Sequence, residues 1–344
     1  MSINRRSKFL MGGLAVLLFG AYFIGPQSPK PKLDPKIKLL PDMQPSEVEA
    51  VVKKAEAAVP NIKPNNEAEI VWANDSLKEK TEWCVVYLHG FSASKYEGNP
   101  THRDFAKRFG CNLYLARLQA HGVASENELK DLTPEGLVNS AKRAIAIGHQ
   151  LGKKVLLMST STGGTLALYL AANNPDLVDG LICYSPNVDI VDKSSILLTK
   201  PWGLQIARLV LGGKYREDKG STKEVDRYWN KKYRIEALVA LRSLMDATMT
   251  KKTFEKIKQP TFVGYYYKDK AHQDPTVDVA SVLKMYDQLG TSEALKQKVA
   301  FPNAGNHVIA GRSFSKDVEG VEKASFEFAE KILKMKPVEL TALN

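Results

Sequence analysis

Short apolar runs alternate with longer stretches of helical spacing along most of this chain. Trp83–Gly90 (WCVVYLHG) is a buried-strand pattern that ends at His-Gly. THRDFAKRFG then reads as a helix stopped by Gly110, and NLYLARL as the next strand. Pro134 to Leu151 carries Ala, Ile and Leu at helical spacing, KVLLMS is a strand, and Gly163 to Asn174 is a helix. LVDGLICYSP and PTFVGYYY hold further strands, followed by a helix from about Val277 to Leu289, the strand KQKVAF, and a helix from about Asp317 to Met335. An earlier strand, EIVWAND, opens the series at about Glu67. Strands alternating with helices of this length predict a mostly parallel sheet with helices on both faces.

One segment breaks the alternation. Asn187 to Lys258 has no clear strand and reads as helices near 201–211, 223–229 and 235–249. About seventy residues of helix between two strands predict an inserted cap above the carboxyl ends of the strands. Its stretch SSILLTKPWGLQIARLVL offers either an acyl-chain lining or a cap core. Ahead of the alternation, Pro26 to Pro64 is rich in Pro and Lys, with one short helix at 45–58, and reads as a linker or leading arm. The expected organisation is a signal segment at 1–25, the arm at 26–66, one domain at 67–335 with its cap at 187–258, and a tail at 336–344.

The first twenty-five residues add a topological expectation. NRRSK precedes an uncharged apolar run from Phe9 to Gly25, the pattern of a signal-type segment. Seventeen residues is the lower limit for a bilayer span, and no small-x-small cleavage site follows. The expectation is an uncleaved membrane anchor, with a cleaved signal peptide as the alternative. Both put the rest of the chain outside the cytoplasm, because basic residues stay inside.

Composition changes this picture little. A 44% hydrophobic and 25% charged chain of 344 residues can build a sizeable core. The net charge of +11 is spread over scattered lysines, with no dense basic block interleaved with aromatics, which argues against a nucleic-acid partner. Cys84, Cys111 and Cys183 lie in or beside apolar runs, without C-x-x-C spacing, and read as buried thiols.

The chemistry concentrates at STSTGG, residues 159–164, where a strand meets a helix. In G-x-S-x-G a nucleophilic serine sits on a strained strand-to-helix turn, and small residues two before and two after it avoid clashes. Ser161 fits that place, with Gly163 after it and Ser159 in place of the first glycine. A Ser/Thr-rich cap on an ordinary helix is the plainer alternative. A serine nucleophile needs a base, and of six histidines His307 lies in FPNAGNHVIAG between the last strand and the last helix. His89 and His121 read as loop-forming, His102 and His149 as exposed helix positions, and His272 lies in a charged loop. The base needs an acid to fix its tautomer, and YYYKDKAHQDPTVDV supplies Asp269, Asp274 and Asp278. Asp274 is favoured, Asp269 is its rival, and Asp278 reads as part of a helix. Two backbone N–H groups must receive the oxyanion; Thr162 and Phe91 are placed to supply them.

In this order, LHGFSAS, ARLQAHG, STSTGG, YYYKD…HQDPTV and NAGNHVI resemble the α/β-hydrolase fold. The likeness is strongest to its branch of monoacylglycerol lipases, lysophospholipases and carboxylesterases with a helical cap. The resemblance covers about Glu67 to Met335. It implies a Ser161–Asp274–His307 triad acting on a small-molecule or lipid ester through an acyl-enzyme. Ser159, and Ala120 where that branch often has Gly before His-Gly, depart from the pattern without removing a reactive group. The same triad could serve a peptidase, amidase or acyltransferase, and a non-catalytic binding protein is the reading from another class. No phosphate loop, dinucleotide fingerprint or metal cluster is legible, so no cofactor is expected.

Overall fold

The computed structural model describes residues 20–218 and 222–338. Seven strands form one sheet: β1 (Glu69–Val71), β2 (Thr81–Leu88), β3 (Asn112–Leu115), β4 (Gly152–Thr160), β5 (Gly180–Tyr184), β8 (Thr261–Tyr265) and β9 (Lys296–Ala300). Their order is β1-β3-β2-β4-β5-β8-β9; only β1 runs antiparallel to its neighbour. The sheet core alternates with period two. Cys84, Val86 and Leu88 join one apolar cluster, and Val85 and Tyr87 the other. Both faces are therefore covered, as the near-continuous apolar runs of a parallel sheet require.

Ten α-helices lie wholly within the described residues: α1 (Pro45–Ala57), α2 (Thr101–Phe109), α3 (Pro134–Leu151), α4 (Thr162–Asn173), α5 (Gly203–Val210), α6 (Lys223–Tyr228), α7 (Glu236–Thr248), α8 (Lys251–Lys256), α9 (Val279–Gln288) and α10 (Val318–Lys331). Local chemistry sets several ends. Thr133 caps α3 by accepting the Gly136 N–H at 3.0 Å, with Pro134 in the first turn. Gly110 ends α2 in the left-handed region at φ 59°, where glycine carries no steric penalty.

Between β5 and β8 lie α5 to α8 and a small antiparallel pair, β6 (Tyr215–Glu217) with β7 (Lys232–Arg234). Three-residue strands are too short to leave a period-two signature. The end of α5 is not part of a cap core: Leu209 and Val210 are 82% and 77% exposed.

The Pro/Lys-rich segment packs along the body. Ile37 N–H donates to Asn174 Oδ1 at 3.1 Å and Met43 N–H to Gln150 Oε1 at 3.1 Å, while Ile37, Val48 and Val52 are buried in the main core. The membrane anchor is overturned: among the described residues no helix is long and apolar enough to cross a membrane. Residues 9–19 of the apolar run lie outside the described residues. The remainder rests on the cap, where Trp202 Nε1 donates to the Ala21 carbonyl at 3.0 Å and the Trp202 N–H to that of Pro26 at 2.8 Å. The membrane partner and the placement outside the cytoplasm followed from the anchor and fall with it.

Candidate active site

Four loops at the carboxyl ends of β2, β4, β8 and β9 carry the candidate residues, the edge of a parallel sheet where ligand sites form. Ser161 stands between β4 and α4 at φ 53° and ψ −117°. Such a conformation costs about 1–3 kcal/mol for a residue with a Cβ, so the surroundings must impose it. They do: the Ser161 N–H donates to the Tyr184 carbonyl at 3.0 Å, and its carbonyl accepts from Gly164 at 2.8 Å and Asn187 at 3.0 Å.

The residues two before and two after Ser161 meet different walls. A Cβ at Gly163 would lie 1.9 Å from the Leu88 carbonyl oxygen, so only glycine lets α4 start this close to β2. Ser159 has room for its Cβ and points its hydroxyl at the Ile182 carbonyl, 3.4 Å away. Gly163→Ala is expected to cost about 3 kcal/mol, because a backbone atom must yield. Urea unfolding checks this; an unchanged midpoint contradicts the close approach.

His307 and Asp274 meet across adjacent strand ends. His307 Nδ1 lies 2.7 Å from Asp274 Oδ2, with Asp274 buried. Asp274 Oδ1 accepts the N–H groups of Thr276 and Val277 at 2.8 and 2.9 Å. Burial alone would raise the Asp274 pKa, but His307 and these amides hold it below the ordinary carboxylate value. Burial likewise opposes a charged His307, but Asp274, and in smaller part Glu97, raise its pKa above the ordinary imidazole value. Among the described residues His307 Nε2 is buried and has no hydrogen-bond partner, and no hydrogen bond joins it to Ser161. Such contacts often tighten only when substrate binds.

The other candidates separate clearly. Asp269 pairs with His272 on the surface, at 2.9 Å. Asp278 sits at the N-cap of α9, bonded to Ser281 and Lys193. The amides of Phe91 and Thr162 have no acceptor among the described residues. His89 and His121 are buried loop clamps: His89 Nε2 accepts from the Leu118 N–H at 3.1 Å and His121 Nε2 from that of Ser92 at 3.0 Å. Burial, with His121 beside it, holds His89 well below the ordinary range, and burial pushes His121 down to about 4; both stay neutral. His102 corrects the sequence expectation. It is buried against Tyr87, with Nε2 2.9 Å from the Lys95 carbonyl. The three cysteines are buried and free. Among the described residues, no His/Cys/Asp/Glu group could hold a metal ion.

The sequence reading missed Glu97. It lies in the turn Lys95–Gly98, buried, with Oε2 accepting the Gly90 N–H at 2.6 Å. Nothing in SASKYEGNP separates this carboxylate from a solvated loop charge.

A metagenome-derived lipolytic enzyme superposes with a TM-score of 0.63 at 17% identity, covering 79% of this chain and all of that one. The chain has the α/β-hydrolase fold. Within that fold, residues 143–291 of this chain match the family model described as "Esterase: Putative esterase". A thermostable monoacylglycerol lipase of Bacillus sp. (strain H-257) is 31% identical over 106 residues, 31% of this chain and 41% of that protein. A "Probable alcohol acetyltransferase" of Saccharomyces cerevisiae is 25% identical over 123 residues, 33% of this chain and 35% of that protein. The chain thus spans less than half the length of the curated relatives it matches.

Proposed function

We propose that this α/β-hydrolase-fold protein is a serine esterase or lipase that cleaves carboxylic esters through an acyl-enzyme. The observation that carries the reading is the His307–Asp274 pair, whose imidazole Nε2 is buried without a partner among the described residues, in the same loop cluster as the strained Ser161 turn. The match to an esterase family model supports the reaction class.

In this reading Ser161 Oγ gives its proton to His307 Nε2 and attacks the ester carbonyl. The tetrahedral oxyanion rests on the Phe91 and Thr162 N–H groups, and the start of α4 adds a favourable dipole. The imidazolium then protonates the departing alkoxide, leaving the acyl group on Ser161. Water, deprotonated by His307, attacks the acyl carbon, and the serine leaves with the proton. Asp274 holds Nδ1 protonated throughout and stabilises the imidazolium.

The substrate proposed is an acylglycerol or a lysophospholipid-like ester; the match to a monoacylglycerol lipase favours the former. A second reading, acyl transfer to an alcohol, draws on the match to an acetyltransferase and differs only in what attacks the acyl-enzyme.

The test is hydrolysis of p-nitrophenyl esters from C2 to C16 by the full chain, with and without an added alcohol. Turnover with an acyl-length optimum supports the esterase, and ester product formed in preference to acid supports the transferase. Failure to turn over any ester, with no fluorophosphonate labelling of Ser161, would falsify both. The base works only when neutral, so kcat/KM is expected to fall as pH drops through the raised His307 pKa. A pH–rate profile flat down to pH 5 contradicts that assignment.

A further inference from the structure

We propose that Glu97 is a positioning residue for the Ser161–His307 site, clamping the Gly90 peptide beside the Phe91 amide and facing a second carboxylate to the His307 imidazole. The inference rests on the reading of Ser161 as nucleophile and His307 as base.

Three contacts place it. Glu97 Oε2 accepts the Gly90 N–H at 2.6 Å. The Tyr87 hydroxyl lies 3.5 Å from the same oxygen and 2.9 Å from Thr160 Oγ1. One carboxylate therefore ties the loop that carries the Phe91 amide to the end of β4, one residue before Ser161. A Cβ at Gly90 would meet the two Glu97 oxygens at 2.8 and 3.0 Å and Ser161 Cβ at 3.1 Å, so these groups share one small volume.

A buried carboxylate needs compensation. Glu97 has no Lys or Arg partner among the described residues, and the titratable groups facing it are Tyr87 from β2 and His307 from the loop after β9. Those facing His307 are Asp274 from the loop after β8 and Glu97. Burial pushes the Glu97 pKa up to about 7, against the opposing Gly90 N–H, His307 and Tyr87. A negative Glu97 favours a positive His307, and a positive His307 favours a negative Glu97. When His307 takes the Ser161 proton, the charge of Glu97 adds to that of Asp274 in stabilising the imidazolium.

Two substitutions separate the hydrogen bond from the charge. Glu97→Gln keeps an acceptor for Gly90 and loses the charge; Glu97→Asp keeps the charge but is one methylene short. The readouts are the pH dependence of kcat/KM for p-nitrophenyl butyrate and of the rate of fluorophosphonate labelling at Ser161. In Glu97→Gln the acid limb is expected to move to lower pH and to fit a single ionisation. In Glu97→Asp the limb is expected to stay close to that of the wild type, while plateau kcat falls about tenfold with KM little changed. Acid limbs superimposable on the wild type in both variants overturn the proposal. If Glu97→Gln does not fold, NMR titration of the wild type decides. Coupled inflections of the His307 ring and the Glu97 carboxyl in one pH range support the pair, and independent titration overturns it. A wild type that never labels at Ser161 removes the proposed function itself, and this inference with it; labelling with unmoved limbs removes only this inference.

Discussion

Ser161→Ala is expected to lower kcat for p-nitrophenyl butyrate by on the order of 10⁵-fold or more, with thermal stability nearly unchanged. The first half follows from chemistry. Without Oγ there is no acyl-enzyme, and only binding and oxyanion stabilisation remain. The second half follows from the turn. Its geometry is fixed by backbone bonds to Tyr184, Gly164 and Asn187, none of which involves the hydroxyl. No hydrogen bond of Ser161 Oγ to another described residue is lost, and an alanine Cβ occupies the same place as the serine Cβ. A stability change within about 1 kcal/mol separates loss of the nucleophile from loss of the fold. Fluorophosphonate labelling gives an independent reading, since the wild type should label and the variant should not. Residual activity above about one per cent of wild type would mean that another group carries the reaction.

Why the strained turn at Ser161 was legible in the sequence and the burial of Glu97 was not is a matter of what each residue must satisfy. The elbow needs small residues on both sides of a strained position, and that requirement leaves a mark in six consecutive letters. The place of His307 at the strand ends was legible from chain order, because one loop lies between the last strand and the last helix. Long apolar runs and helical spacing located the sheet to within a few residues, since β2, β4 and β5 are buried on both faces. Glu97 and His102 were not legible, because their burial depends on the turn Lys95–Gly98 folding under β2. A charged residue in a polar loop looks the same whether it faces solvent or a neighbouring backbone N–H. The packing of the arm was not legible for a related reason. Pro and Lys predict an extended chain, and an extended chain can still pack when carbonyls and side chains such as Asn174 meet it. The anchor rested on residue type alone, which says nothing of what the described end of that run contacts, and Trp202 is what it contacts.

Asp274→Asn is expected to reduce kcat/KM by about 10³–10⁴-fold, while Asp269→Asn stays within a factor of two of the wild type. The contrast rests on position. Asp274 is buried and its Oδ2 holds His307 Nδ1 at 2.7 Å, whereas Asp269 is exposed and pairs with His272. An asparagine amide turned so that its carbonyl still serves the Thr276 and Val277 N–H groups presents NH₂ to Nδ1. That selects the tautomer with the proton on Nε2, where it blocks acceptance of the Ser161 proton. The fold should survive, because those two backbone bonds remain, and the pH dependence of stability gives a check that needs no turnover. Asp274 is depressed in the folded state, so its contribution is present above the unfolded carboxylate pKa and is lost as pH falls through the folded value. His307 is raised, so its share is fully present below the unfolded imidazole pKa and fades as pH rises through the folded one. Between those limits the two charges support each other, and Asp274→Asn should flatten the stability profile across mildly acidic pH. Equal activity losses in the two asparagine variants, or a profile that keeps its shape in Asp274→Asn, would remove Asp274 from the role of acid.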